Sequence, residues 1–301
     1  MRIVIAGGSG FLGRALRAQL TRDGHSVAIL TRRPTSNNPD EIGWTPDGTA
    51  GSWLHALENA GAIVNLAGEG IADRRWSEER KRVLADSRLL STRSLVAATN
   101  RLARPPDVFV SGSGIGYYGA RGDQLLTESA SPGDDFLARL CVEWEREAEQ
   151  ASAATRVATI RTALVLHHEG GALKRMILPF KLGVGGPLGS GRQYMPWIHL
   201  ADWVGLVGWL LNSPDARGAF NAVAPSPVTN AEFSRALGRV LHRPAVVPVP
   251  AFVLRLVLGE LAESLLTGQR AIPARAAEMG FQFRFRELDA ALRDLLTSRS
   301  R

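Results

Sequence analysis

Cysteine, lysine and tyrosine are scarce in this 301-residue sequence, and each scarcity excludes something. The single cysteine, Cys141, rules out an internal disulfide and fits a reducing compartment. Lys81, Lys174 and Lys181 are the only lysines, so the formal charge of +7 rests almost wholly on arginine. The arginines are scattered, with short pairs such as Arg32-Arg33 and Arg74-Arg75 and no long basic block, and nucleic-acid binding is not expected. No apolar run reaches about 18 residues, so no membrane-spanning helix is expected. Internal repeats and low-complexity tracts are also missing. With 45% hydrophobic and 22% charged residues, the composition excludes a disordered, collagen-like or coiled-coil chain. Met1 and Arg2 lead straight into an apolar run that ends in glycines, without the order of a secretory leader, and a cytoplasmic protein is expected.

What the sequence does contain is alternation. Short β-rich runs at residues 2–6, 26–30, 42–44, 62–66, 107–111 and 157–160 are separated by amphipathic stretches at 11–23, 77–102 and 135–152. Phe11, Leu12, Ala15, Leu16 and Leu20 fall on one helical face, and Gly24 ends that helix. Strand–helix alternation argues for an α/β fold, a Rossmann-type doubly wound parallel sheet with helices on both faces. After residue 170 glycine and proline become frequent. Helices are expected at 198–211 and at 230–241, with Thr229 or Asn230 as cap, and a strand at 219–223. The division expected is a dinucleotide-binding domain over 1–170 and a smaller α/β substrate lobe over 171–301 that contributes some sheet. A cleft between two such lobes is an ordinary place for a ligand.

Gly7-Gly8-Ser9-Gly10-Phe11-Leu12-Gly13 follows the first strand and opens the first helix. Gly7 permits the tight turn, Gly10 lets the backbone approach a pyrophosphate, and Gly13 lets the helix lie close on the strand. The helix N-terminus then offers free N–H groups and partial positive charge to phosphate. Ser9, Phe11 and Leu12 belong to the same turn. The second strand ends in Thr31-Arg32-Arg33, and no acid occurs between Ser26 and Asn38. An NAD-selective site places a carboxylate there for the ribose 2′-hydroxyl, whereas guanidinium pairs with a 2′-phosphate. NADP(H) is therefore the expected cofactor; the blander reading makes both arginines solvated loop residues.

These residues resemble the extended short-chain dehydrogenase/reductase superfamily. Asn65-Leu66-Ala67-Gly68 adds a turn after the fourth strand, and Ser111-Gly112-Ser113 ends the fifth. Within the superfamily, the chain is similar to the YfcH-like epimerase family, an atypical branch, through NLAGEGIADRRW (65–76), SGSGIGYYG (111–119), LPFKLGVGGPLGSGRQYMPWIHLAD (178–202) and further stretches reaching GQRAIPARAAEMGFQF (268–283). The resemblance implies an NADP-type cofactor. It places Leu66, Ala67 and Gly68 on the adenine-ribose side, Ser111 at the strand end, and Val165 among the residues facing the nicotinamide.

The superfamily's chemistry uses a tyrosine and a lysine four residues later. Tyr117, Tyr118 and Tyr194 are followed at that spacing by Arg121, Gly122 and Ile198, so the pair is missing. Counting back from Trp144-Glu145, its positions fall on Leu137 and Cys141. Ser113 stands where the superfamily's catalytic serine stands. Either Tyr117 or Tyr118 is a candidate acid, the alternative being aromatic packing on the loop. Arg88, four residues before Thr92, is a candidate contact to cofactor phosphate or ribose, the alternative being a helix-surface arginine.

In the second lobe, His199 and Asp202 either fix a strand–helix junction or serve a substrate. Arg192, Gln193 and Trp197, with Arg74, Trp76 and Lys81, form a candidate rim for an anionic substrate. His167-His168 has no further ligand at metal-site spacing, and no metal is expected. The apolar 251–266 segment is read as core or as a homodimer contact. The expectation is an NADP(H)-binding oxidoreductase or epimerase-like enzyme acting on a small molecule. Its alternative is a non-catalytic NADP(H)-binding redox sensor or scaffold.

Overall fold

The computed structural model describes residues 1–35 and 38–297; the last four positions of the expected 171–301 lobe lie outside that range. The chain runs β1 (Arg2–Ala6), α1 (Phe11–Arg22), β2 (Ser26–Thr31), β3 (Glu41–Gly43), β4 (Ala62–Asn65), α2 (Glu78–Thr99), β5 (Val108–Gly114), β6 (Leu125–Leu126), α3 (Phe136–Ala148), β7 (Arg156–Thr162) and β8 (Leu164–Leu166). It continues through α4 (Gly171–Lys181), β9 (Trp197–His199), α5 (Leu200–Asn212), β10 (Gly218–Ala222), α6 (Asn230–Leu241), α7 (Ala251–Leu258), α8 (Leu261–Thr267), β11 (Arg270–Ala271), α9 (Ala274–Glu278) and α10 (Leu288–Thr297).

Seven of these strands form one sheet in the order β10-β7-β5-β4-β1-β2-β3, every pairing parallel. Successive side chains on a strand point to opposite faces, and a parallel sheet covered on both sides needs apolar residues at every position. The first strand shows this directly. Ile3 and Ile5 enter one core with Leu16 and Leu20 of α1 and Trp203 and Leu206 of α5. Val4 and Ala6 enter the other with Leu95 and Ala98 of α2, Ala148 of α3, Trp44 and Trp53. The order reverses between β1 and β4, which opens a crevice beyond the C-terminal ends of these strands.

After β7 the chain leaves the sheet, builds part of the second lobe, and returns to add β10 beside β7. That lobe has its own core, in which Leu166, Trp197, Phe233, Leu237 and Leu292 are buried together. Thr229 caps α6 in a capping box with Glu232. Two expectations change here. Ile198 and His199 are strand rather than helix, because β9 pairs with β8 and His199 becomes the N-cap of α5. The 251–266 segment is not uniform core: Gly259, at φ +63°, separates α7 from α8. Leu254, Leu261 and Ala262 are buried, while Phe252, Leu256 and Val257 face outward. Among the described residues no helix is long and apolar enough to cross a membrane.

Candidate functional site

The glycine turn lies at the mouth of the crevice. Gly7 has φ +78°, and a Cβ there would come within 2.6 Å of the Leu66 carbonyl, so only glycine lets this turn lie against the backbone of Leu66 and Ala67. A Cβ on Gly13 would meet the Gly7 carbonyl oxygen at 2.4 Å, which is how α1 comes to rest on the turn. Gly10 closes the turn by donating its N–H to the Gly7 carbonyl at 3.0 Å. It is the N-cap of α1, and no side chain among the described residues caps the helix, so its first-turn N–H groups lack a side-chain acceptor. Ser9 is exposed, and its carbonyl accepts from Arg14 at 2.6 Å. The Phe11 ring tilts against His167 at 5.8 Å and leaves room only for glycine at residue 170. Leu12 packs on the sheet core. Val165, buried in the same core, meets this region through Gly171, whose neighbours are the Val165 carbonyl and the Phe11 ring.

At the end of β2, Thr31 accepts from the Arg33 N–H at 3.3 Å, and Arg33 is exposed. Arg32 is exposed as well and donates to Glu69 at 3.1 Å. On the other side of β1, Asn65 is fully buried: its amide donates to Thr92 at 2.8 Å and its Oδ1 accepts from the Ala67 N–H at 3.2 Å. Trp144 donates to the same Thr92 hydroxyl at 2.8 Å. Arg88 departs from the expectation. It is buried, and it donates to the Leu84 carbonyl at 3.0 Å and the Glu69 carbonyl at 2.9 Å, under Gly68 and against Trp144. Burial lowers its pKa from the ordinary arginine value. Its donors hold the 65–69 turn from beneath, so in this structure it positions that turn.

Near the ends of β5 and β7 lies a buried network. Ser113 donates its hydroxyl proton to Glu145 at 2.7 Å. Arg161 binds the same carboxylate through two hydrogen bonds of 2.8 Å, then donates to the Tyr118 hydroxyl at 2.9 Å and the Glu128 carbonyl at 3.2 Å. Tyr118 donates onward to Asn221 at 2.7 Å, whose backbone N–H donates to the Glu128 carboxylate at 2.9 Å. Burial works against the Arg161 charge, but the Glu145 carboxylate outweighs it and holds the guanidinium above its ordinary pKa. The Arg161 guanidinium also lies 3.4 Å from the centre of the Tyr117 ring, and the two tyrosine rings meet edge-on at 5.3 Å.

This network revises the two tyrosines and the serine. Tyr118 is fully buried with its hydroxyl engaged on both sides, and burial pushes its pKa to about 12 against the opposing pull of Arg161. It braces Arg161, with no free side left on its hydroxyl. Tyr117 is half-buried and is the less buried ring of the pair. Ser113 keeps its place at the end of β5, but with its proton on Glu145 the hydroxyl is an acceptor, suited to a donor such as an alcohol and not to a bare carbonyl. Ser111 is fully buried and turns its hydroxyl to the Gly112 carbonyl at 3.4 Å, inside the strand. Leu137 packs on Gly116, and the Cys141 thiol donates to the Gly114 carbonyl at 3.6 Å. Burial raises the thiol to about 11, so it stays protonated at neutral pH.

Of the second-lobe candidates, His199 and Asp202 fix the junction. His199 accepts from the Ala201 N–H at 3.0 Å, and Asp202 accepts from the N–H groups of Arg284 and Phe285 at 2.7 and 2.8 Å. Trp197 and Gln193 are buried, Gln193 donating to the Leu188 and Leu265 carbonyls, so neither forms a rim. Lys81 pairs with Glu260, and Trp76 donates to the Ile71 carbonyl at 2.9 Å. Glu145, Arg161 and Glu69 were missed by sequence reasoning. Arg161 alone left a signal: a charge inside the β-run 156–162 of a covered sheet needs a buried partner.

Comparison with known proteins brings in relatives along the whole chain. A model described as the NAD dependent epimerase/dehydratase family matches residues 3–223, a span that runs from within β1 through β10. A domain of unknown function, DUF1731, matches residues 249–295. The epimerase family protein SDR39U1 of Mus musculus is 40% identical over 300 residues, covering 98% of this chain and 100% of that protein. The epimerase family protein Mb2239 of Mycobacterium bovis is 43% identical over 295 residues, covering 96% of each. A crystal structure of human epimerase family protein SDR39U1 (isoform 2) with NADPH superposes with a TM-score of 0.92 at 39% identity, covering 99% of this chain and 100% of that chain.

Proposed function

The chain belongs to the NAD-dependent epimerase/dehydratase family, and from that premise we propose that it is an NADP(H)-binding oxidoreductase or epimerase-like enzyme acting on a small molecule. The observation that carries this reading is the uncapped N-terminus of α1 behind Gly7, with Arg32 and Arg33 at the end of β2 where an NAD-selective site would carry an acid. The NADPH in the human SDR39U1 crystal structure supports it. The residues fit such a group: glycine at 7 and 13 keeps the turn flat, and the first-turn donors are unclaimed. Gly7, Ser9, Gly10, Phe11, Leu12 and Gly13 would hold the pyrophosphate, Thr31, Arg32 and Arg33 the 2′-phosphate, and Leu66, Ala67 and Gly68 the adenosine side. Phe11 and Val165 would border the nicotinamide. When bound, NADP(H) supplies a carbon centre that gives or takes a hydride.

The side chains then divide the proton work. Ser113, its own proton on Glu145, accepts a hydrogen bond from a substrate hydroxyl and orients it. Tyr117 exchanges the proton, its ring held in place by the Arg161 guanidinium. Tyr118, Asn221 and Glu128 keep Arg161 from shifting. A second reading, a non-catalytic NADP(H)-binding sensor or scaffold, is favoured by Leu137 and Cys141, which fill the usual Tyr and Lys positions with groups that transfer no proton at neutral pH.

Calorimetric titration with NADPH and NADH, followed by turnover assays against carbonyl compounds, secondary alcohols and nucleotide sugars, tests both readings. Under the enzyme reading NADPH binds, a substrate turns over, and Tyr117→Phe lowers kcat by about 100-fold. Tyr118→Phe is expected to cost stability instead. If NADPH binds and Tyr117→Phe leaves kcat unchanged, the proton assignment is wrong. If NADPH binds and nothing in the panel reacts, the sensor reading replaces the enzyme. No binding of either dinucleotide sinks both.

A further inference from the structure

We propose that Glu69 tunes cofactor choice by occupying Arg32 until a 2′-phosphate takes that arginine over, and that Arg80 then keeps the displaced carboxylate. The inference rests on the NADP(H) reading and adds two residues to it. The strand order is its starting point: β1 lies between β4 and β2, so Arg32, past the end of β2, and Glu69, past the end of β4, stand on either side of the glycine turn. Their ion pair, 3.1 Å between Arg32 Nη2 and Glu69 Oε1, bridges the mouth of the crevice where adenosine would lie.

The two partners differ in freedom. The Arg32 side chain is 70% exposed and, among the described residues, is tied by hydrogen bond and ion pair to Glu69 alone. Glu69 has a fixed backbone, with its N–H donated to Ser87 at 3.1 Å and its carbonyl held by Arg88 at 2.9 Å, so only its carboxylate can swing. On the inner side stands Arg80, its side chain 12% exposed and anchored to the Gly70 carbonyl at 2.7 Å. Arg80 Nη1 is already 3.7 Å from Glu69 Oε2. Its Nε is buried and has no hydrogen-bond partner among the described residues. A guanidinium already this close to a carboxylate that can move, with one donor unmet, is a second seat for that carboxylate.

Charge decides the exchange. A phosphate dianion attracts Arg32 more strongly than one carboxylate does, and it repels Glu69 toward Arg80. A ribose carrying only a 2′-hydroxyl brings no such charge, so Glu69 stays on Arg32 and NAD(H) gains nothing from the arginine. Glu69 therefore opposes NADPH slightly and shields Arg32 from other anions. Arg80 favours NADPH without touching it, by making the displaced state of Glu69 cheaper.

The experiment is a double-mutant cycle read by calorimetry with NADPH and with NADH, at low and at high salt. Glu69→Gln is expected to tighten NADPH by about two- to fivefold at low salt, the range an exposed ion pair is worth, with NADH unchanged and the gain shrinking as salt rises. Arg80→Met is expected to weaken NADPH in the wild-type background by about the same factor and to have no effect once Glu69 is Gln. A purely structural role for Arg80 costs the same in both backgrounds and overturns the proposal. Equal gains for NADPH and NADH in Glu69→Gln, a loss, or no change also overturn it, while NADPH binding by the wild type leaves the cofactor reading intact. A wild type that binds no NADPH overturns both.

Discussion

The glycine turn and the buried network are built from different materials. At the glycine turn the backbone does the work: Gly7 at φ +78°, an uncapped helix N-terminus, and the 65–69 turn held from below by Arg88. At the ends of β5 and β7 side chains do it, in a chain from Ser113 through Glu145, Arg161 and Tyr118 to Asn221, with the Arg161 guanidinium over the Tyr117 ring. Backbone sites depend on where glycine is allowed, and a substitution there fails sterically. Side-chain networks depend on every polar group having a partner in a dry interior, and a substitution there fails electrostatically. The first kind tolerates changes to its exposed charges; the second tolerates almost none.

Arg161→Met tests that difference most severely. It leaves Glu145 buried with Ser113 as its remaining donor, and removing one partner of a buried pair costs about 3–5 kcal/mol. Urea denaturation should show the loss as a lower midpoint at unchanged slope. Changing both partners, as in Arg161→Met with Glu145→Leu, should recover a large part of it, because no orphaned charge remains. If the single variant unfolds like wild type, the network carries no stability and the contrast with the glycine turn disappears.

Arg32→Ala is the matching change beside the glycine turn. The Arg32–Glu69 pair is exposed, so stability should move by less than about 1 kcal/mol. Losing charge-assisted hydrogen bonds to a 2′-phosphate should weaken NADPH by about tenfold or more, with NADH little affected. Arg33→Ala, whose side chain is exposed and beside the same turn, should give a smaller loss of the same sign. Equal losses for the two dinucleotides would remove the 2′-phosphate assignment.

The contrast also explains what the sequence disclosed. The positions of the main strands, the glycine turn and Arg32 were legible because each depends on local spacing: short apolar runs bounded by turns, Gly7-x-x-Gly10-x-x-Gly13, and the residues ending β2. Ser113 was placed by its position at the end of β5, yet its hydrogen-bond direction was not, since that depends on Glu145, 32 residues away. Tyr117 and Tyr118 are neighbours in the chain, and only the partners Arg161 and Asn221, 43 and 103 residues beyond Tyr118, separate a half-buried ring from a buried brace. Arg88 was read as reaching out because a helix pattern does not say that the 65–69 turn folds over it. The 251–266 run was read by composition, which does not reveal that Gly259 breaks it and turns Phe252, Leu256 and Val257 outward.

Acid provides the mildest test of side-chain-built structure, at the junction of β9 and α5. His199 caps α5 by accepting from the Ala201 N–H, and its Nε2 lies 3.3 Å from Asp294. Burial pushes its pKa from 6.5 to about 4, even though the Asp294 carboxylate pulls the other way; Arg284 and His167 add to the lowering. The unfolded chain therefore binds a proton that the folded chain refuses between these two values. The stability His199 contributes as a neutral ring is fully present above pH 6.5 and is lost as pH falls toward 4. His199→Asn keeps a cap acceptor and removes the titration. Thermal unfolding should show wild type losing on the order of 1–2 kcal/mol more than this variant between pH 6.5 and 4. Parallel pH profiles for the two proteins would mean that the ring is protonated in the folded state, with Asp294 outweighing burial, and that the junction is held as an ion pair.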